Sequence, residues 1–323
     1  MTSLIVTGTG TDRADDLVVD IVGGNEAVYP HLEAWEWPIA AYLFIGGLAA
    51  GLMIFAGVLG RRSTQFRRSI AIADRWTPFV LVVGLLLLWV DLANRWNVWR
   101  LYLTFRTSSA MSWGSWILAV AVIVAAVRFA LHAFDLERAP KRVRGRLTKL
   151  RHWGARSRRA LDLVTIAVGI GVGLYTGVLL SSISARPLWD SSLLAPLFLV
   201  SGTAAGGALL LAMADADTRH VLAPASIALG GVELALLAAY LFTTGARAGV
   251  ADSALDTLSR GGYGLAFWGL VVAAGLVIPL SIEIFDRFRP LAAAWSRTAS
   301  ALTLTGSAAL RAVILFGGLA SVA

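Results

Sequence analysis

Eight stretches of about 20 residues each, apolar and almost free of charge, recur along this chain. Each is long enough to cross a hydrocarbon layer of roughly 30 Å as a helix. No soluble core needs so much apolar sequence: 57% of the 323 residues are hydrophobic, 15% are charged and the mean hydropathy is +0.72. The expected fold is therefore all-α, a polytopic membrane protein with spans at about 37–59, 76–96, 112–134, 161–184, 191–213, 221–243, 263–283 and 299–320.

Charge sorts the loops between those spans. Arg61, Arg62, Arg67, Arg68, Arg75, the basic cluster of 138–159, Arg219, Arg287, Arg289 and Arg297 fall on one side. By the positive-inside rule that side is cytoplasmic, which puts both termini of a chain in the cytoplasmic membrane on the exoplasmic face. The net charge of +8 is concentrated in the 138–159 loop, which suits a membrane surface and gives no reason to expect nucleic acid. Residues Met1 to Glu36 hold seven carboxylates and one arginine, with no basic start followed by an apolar run, and read as an exoplasmic polar tail rather than a signal peptide.

An internal repeat organises the rest. Gly47-Leu48-Ala49-Ala50-Gly51 in the first span is matched by Gly202-Thr203-Ala204-Ala205-Gly206 in the fifth. Four spans separate the copies, so both halves have the same orientation, as in a parallel repeat. The expected architecture is two four-helix bundles, 37–184 and 185–323, after the 1–36 tail. Glycines four apart let helix backbones approach closely, and packing is the simplest use for them, with a direct cofactor role as the other reading.

Most of the charge lies in loops; among the exceptions are Asp91 near the outer end of the second span, Glu233 in mid-span of the sixth and Arg311 in the eighth. An ionised carboxylate at such depth costs several kcal/mol unless paired, hydrated or protonated. Asp91 and Glu233 are therefore candidate proton-handling groups, with a purely structural Glu233–Arg311 pair as the alternative. Tyr42 and Tyr175 add two phenols in the outer half of the membrane. Quinone chemistry needs hydrogen-bond donors for two carbonyl oxygens, a group that moves protons, and an apolar slot. Lone tyrosines also serve as interface anchors, so the constellation carries more than either residue.

Other redox centres find no support. The chain has no cysteine, which excludes a disulfide and a Cys-ligated iron–sulfur cluster on it. A membrane haem usually wants two histidines on facing helices. Of the four here, His31 is in the tail, His152 is in the basic loop, and His132 and His220 would meet only at the cytoplasmic edge, so neither haem nor metal is expected.

The stretch Trp37-Pro38-Ile39-Ala40-Ala41-Tyr42-Leu43-Phe44-Ile45-Gly46-Gly47-Leu48-Ala49-Ala50-Gly51 is similar to the first-helix signature of the NrfD/PsrC family, the quinone-reactive membrane subunits of polysulfide reductase and related iron–sulfur molybdoenzymes. Trp89-Val90-Asp91, Ser112-Trp113-Gly114-Ser115-Trp116, and Tyr175 followed by Arg186-Pro187-Leu188-Trp189 resemble later family motifs in the same order. The resemblance implies eight helices in two bundles, with a quinone pocket, for menaquinone, near the outer face of the first. It puts Tyr175 beside the quinone head group and gives Asp91 the family's proton-linked carboxylate. Where the polysulfide reductase subunit has a histidine facing the quinone, this chain has Tyr42, which cannot act as an imidazole acid–base.

Candidate quinone-binding residues are then Tyr42, Tyr175, Trp37 and Arg186, and candidate catalytic residues Asp91 and Glu233. The implied partners are an exoplasmic ferredoxin-like [4Fe–4S] subunit, a molybdopterin catalytic subunit and membrane lipid. The chain would act as one subunit of an oxidoreductase complex, with the tail and the loop bearing Arg95, Arg100 and Arg106 as docking surfaces. Two rivals stand beside this reading: a proton-coupled transporter of a small solute, motivated by the repeat, and a passive membrane anchor in which the buried polar residues serve packing alone.

Overall fold

The computed structural model of the protein describes residues 37–62, 66–91, 96, 109–133, 145, 148, 154, 156–183, 186–213, 216–247, 255–256, 258–289 and 291–320. The polar tail, the loop carrying Arg95, Arg100 and Arg106, and His31 and His152 lie outside them. His132 and His220 belong to helices, but their side chains are also outside the described set.

Among the described residues all regular structure is helical, and eight helices are long and apolar enough to cross a membrane. We number them α1 (Trp37–Arg62), α2 (Arg67–Asp91), α3 (Ala110–Ala133), α4 (Arg158–Ser181), α5 (Leu194–Met213), α6 (Ala216–Gly245), α7 (Ala266–Phe288) and α8 (Ala293–Ala320). The protein is thus a multi-pass membrane protein. With one residue per about 1.5 Å, even the 20-residue α5 spans the hydrocarbon layer.

Burial separates the helices into inner and outer members. About two-thirds of the apolar stretch of α1 (67%) and of α5 (72%) is buried by protein, against 22% for α6 and 28% for α7, so α1 and α5 form the axis and the others face lipid. α1 packs on α2, α4 and α5; α3 closes the circle between α2 and α4; α8 packs on α5, α7 and α1.

The two glycine motifs meet at this axis. A Cβ at Gly202 would lie 2.7 Å from the Gly47 carbonyl oxygen, and one at Gly206 would lie 2.6 Å from the Leu52 amide nitrogen. Only glycine leaves room for such backbone contact, and the gain is dispersion along the whole seam where lipid removes the usual hydrophobic drive. The small residues of the repeat therefore pack against each other. The outer part of α7, Ala266–Val277, is wound as a π-helix, and its Gly275 meets Gly306 of α8 backbone to backbone.

Several boundaries differ from the sequence expectation. α2 begins at Arg67 rather than near 76, and α8 at Ala293 rather than near 299, so Arg67, Arg68, Arg75 and Arg297 are helical rather than loop residues. Pro78 reads as a helix start but sits inside α2, where the Thr77 hydroxyl donates to the Ala73 carbonyl at 2.7 Å. Membrane helices tolerate such a proline because neighbouring groups satisfy the freed backbone. At the other end α2 stops at Asp91, not near 96.

Candidate functional site

The outer ends of α1–α4 gather three of the residues singled out by sequence. Tyr42 is five residues into α1, about 8 Å from its start, and Tyr175 is six residues before the end of α4, about 9 Å from it. Both phenols therefore belong to one level. Tyr42 faces α2, where a Cβ at Gly84 would come within 3.8 Å of its ring. Tyr175 faces α3 so closely that a Cβ at Gly114 would fall inside its ring. Gly114 is thus the space that the Tyr175 ring occupies, a use for the Trp113-Gly114-Ser115 stretch that sequence alone does not reveal. Next to Tyr175, Thr176 meets α1 at Gly46, which ties the two tyrosine-bearing helices together at this depth.

Both rings are enclosed, Tyr42 at 1% exposure and Tyr175 at 6%. Asp91, the last residue of α2, is half-buried at the rim, one to two helical turns outward of the phenols. Leu86 and Val90 of α2 and Met111, Trp113 and Trp116 of α3 are exposed beside it and give this end an apolar, lipid-facing wall. Trp37 opens α1 at the same end and is 63% exposed. The donor set suits a quinone head group: two phenolic O–H groups at one level for carbonyl oxygens, a carboxylate at the water boundary, and an apolar approach.

Arg186 lies elsewhere. Its Nη1 donates to the Leu319 carbonyl at 2.8 Å, at the end of α8, and partial burial lowers its pKa from the ordinary guanidinium value. Trp189 donates from Nε1 to the Ile314 carbonyl at 2.9 Å and packs on Gly318. The Arg-Pro-Leu-Trp motif therefore clamps the outer end of α8, where the last carbonyls lack intrahelical partners and favour a cation. The Tyr240 hydroxyl secures the same loop by donating to the Leu188 carbonyl at 2.7 Å.

Glu233 sits in a second polar cluster, in the other half of the chain. It is 4% exposed, interacts with the Ser201 hydroxyl and is electrostatically coupled to Arg311. Arg311 is fully buried; its Nη1 donates to Ser201 Oγ at 3.1 Å and Ser307 Oγ at 2.7 Å, and its Nη2 donates to the Phe198 carbonyl at 2.9 Å. The Phe198 ring lies under the guanidinium, 5.0 Å from its carbon. Gly47 makes way for this group, since a Cβ there would meet the guanidinium Nε at 3.3 Å. Arg311 donates to Ser201, the hydroxyl that Glu233 also meets.

A third cluster escaped the sequence reading. At the inner end of α1–α4, Arg128 Nε donates to Asp74 Oδ1 at 2.6 Å and its Nη1 to Asp162 Oδ1 at 2.8 Å, with further contacts to Thr165 Oγ1 at 3.3 Å and the Ala56 carbonyl at 3.4 Å. All three charged side chains are at most 4% exposed. One guanidinium thus joins α1, α2, α3 and α4. Arg128 was legible as a charge six residues before the end of an apolar span, with Asp74 and Asp162 near the same ends of the neighbouring helices. Among the described residues no group of three His, Asp or Glu side chains converges as a metal site.

Comparison with known proteins matches this arrangement to a family. The family model for "Polysulphide reductase, NrfD" matches residues 26–323. A polysulfide reductase polypeptide of Wolinella succinogenes is 32% identical over 307 residues, covering 88% of the present sequence and 94% of that protein. Protein NrfD of Escherichia coli is 28% identical over 319 residues, covering 91% and 98%. A selenate reductase subunit of Mesobacillus selenatarsenatis is 27% identical over 202 residues, covering 55% of the present sequence and 47% of that protein.

Proposed function

This chain belongs to the NrfD polysulphide reductase family, and from that premise we propose that it is the quinone-reactive membrane subunit of a reductase complex. The names of two relatives, one from a polysulfide reductase and one from a selenate reductase, support a complex in which catalysis lies on another polypeptide. The observation that supports the quinone site is that Tyr42, Tyr175 and Asp91 all lie near the same ends of α1, α4 and α2.

A bound quinone, on this reading menaquinone, supplies a two-electron, two-proton couple. Tyr42 and Tyr175 hold the head group through their hydroxyls, the one polar group each enclosed ring carries. The apolar wall of α2 and α3 is the route from the lipid. Asp91 exchanges protons with water at the boundary, a role suited to a carboxylate that is half-buried. Trp37 flanks the site at the interface, and Arg186 acts on it through the position of α8. Glu233 serves a second proton step in the other half, which we assign as a separate bundle from 185 onward. The site faces the exoplasm of the cytoplasmic membrane, where both termini lie. There an iron–sulfur subunit of ferredoxin type accepts or supplies the electrons and passes them to or from a molybdopterin catalytic subunit.

Tyr175→Phe and Asp91→Asn test this in the purified complex. Quinol-linked turnover is expected to fall by about 10²-fold or more, the usual scale for losing a positioned proton donor or acceptor, while assembly and activity with a soluble artificial donor persist. Unchanged quinol-linked turnover in both variants would remove these residues from the mechanism and leave the protein an anchor.

A further inference from the structure

The inner end of α1–α4 holds a cavity of about 430 Å³, within the range of roughly 300–1,000 Å³ typical of small-ligand sites. Its lining includes Arg67, Arg128, Arg158, Asp162, Leu131 and Leu161. It lies at the ends of four membrane-spanning helices, on the face that carries the arginine-rich connections, which is the depth of lipid head groups.

Its polar groups make two separate demands. The first is for a cation with N–H donors. Arg128 is shared between Asp74 and Asp162. Asp162 Oδ1 is taken by Arg128, whereas Oδ2 is buried with no hydrogen-bond partner. Among the described residues Arg158 is the other cation beside it: its Nε stands 4.0 Å from that oxygen, beyond hydrogen-bond reach, while its Nη2 donates to the Gly60 carbonyl at 3.2 Å. Gly60 keeps the space beside the carboxylate, since a Cβ there would lie 2.8 Å from Oδ2. An unsatisfied buried carboxylate oxygen is costly, and no described residue supplies its donor.

The second demand is for an anion. Arg67 is exposed and Arg158 half-exposed at the cavity, and each is the first residue of its helix, α2 and α4. The positive ends of both helices add to the two guanidinium charges. A ligand that meets both demands carries a primary ammonium and a phosphate a few bonds apart.

We propose that this cavity binds the head group of phosphatidylethanolamine from the adjacent leaflet, its ammonium donating to Asp162 Oδ2 and its phosphate held by Arg67 and Arg158. Choline, whose nitrogen carries no hydrogen, satisfies the arginines but not the carboxylate. Glycerol phosphate supplies no cation. The acyl chains leave the cavity past the apolar ends of α3 and α4. This inference concerns the end of the bundle opposite the quinone site and stands independently of it.

The test uses the full-length protein in nanodiscs of equal parts phosphatidylethanolamine, phosphatidylcholine and phosphatidylglycerol, followed by mild detergent release and native mass spectrometry of retained lipid. Phosphatidylethanolamine is expected to be retained about tenfold over phosphatidylcholine, the effect of about 1.4 kcal/mol of preference. Arg158→Gln and Arg67→Gln are expected to lower retention of every phospholipid. Asp162→Asn is expected to abolish the preference for ethanolamine over choline while keeping phosphate-dependent retention. Should Asp162→Asn fail to fold, the native protein in N-methylated phosphatidylethanolamine series reads the same step, with retention falling as N–H groups are lost. Equal retention of ethanolamine and choline lipids by the native protein, or phospholipid retention untouched by the arginine substitutions, would overturn the proposal.

Discussion

The same four helices are closed in two different ways at their two ends. At the inner end a single guanidinium holds two buried carboxylates at 2.6 and 2.8 Å and touches a carbonyl of α1, so position is fixed by charge. At the outer end no arginine enters among the described residues; Tyr42 and Tyr175 pack into the spaces left by Gly84 and Gly114, and the one carboxylate, Asp91, stays at the rim. A buried ion network is rigid because removing one member leaves uncompensated charge. Neutral hydroxyls seated against glycine are cheaper to disturb and are able to exchange partners with a ligand. The two ends of these four helices are thus held by different means, charge at one and close packing at the other.

The largest expected effect breaks the inner end. Arg128→Met leaves Asp74 and Asp162 buried without their cation and is expected to cost about 3–5 kcal/mol, seen as loss of assembled complex and a lowered unfolding temperature. Replacing the set together, Asp74→Leu with Arg128→Met and Asp162→Leu, should restore most of that stability, since a buried triad is often replaceable by apolar residues. Full assembly of the Arg128→Met protein would show that the network is not what closes this end.

A matched pair of glycine substitutions sharpens the contrast. Gly114→Ala drives a Cβ into the Tyr175 ring, and Gly60→Ala brings one within 2.6 Å of the Asp162 carboxylate. Each is expected to cost about 1–3 kcal/mol by overpacking. Only Gly114→Ala should also depress quinol-linked turnover, because only there does the displaced group serve the reaction; equal turnover losses in both would erase the distinction. The smallest effect is expected at Arg186→Ala, which removes the donor to the Leu319 carbonyl. About 0.5–1.5 kcal/mol of thermal stability should go, with turnover nearly unchanged.

How much of this was written in the sequence depends on the kind of signal. Span number followed from apolar length, whereas Tyr175, expected about nine residues from the end of its helix, lies six from it. The glycine repeat was visible, but not that its two copies pack on each other, because a repeat gives orientation and not contact. The start of α2 was misplaced because Pro78 and a run of arginines imitate a helix start after a loop, when Asp74 in that run is already committed to Arg128. Asp74, Arg128 and Asp162 were hidden for the same reason: each lies near a span end, where charge is ordinarily solvated, and only the three-dimensional arrangement shows that the ends converge. Arg186 illustrates the reverse, a residue prominent in a motif whose visible contacts hold a helix end.

The central claim, that the outer end of α1–α4 receives a quinone, is tested most directly by photolabelling the assembled complex with an azido-substituted quinone and mapping the modified peptides. Adducts on residues 110–117 and 171–178, around Gly114 and Tyr175, displaced by excess unmodified quinone, are the expected result. Displaceable adducts confined to the inner end around Arg158 and Asp162, or to α6 and α7, would contradict it.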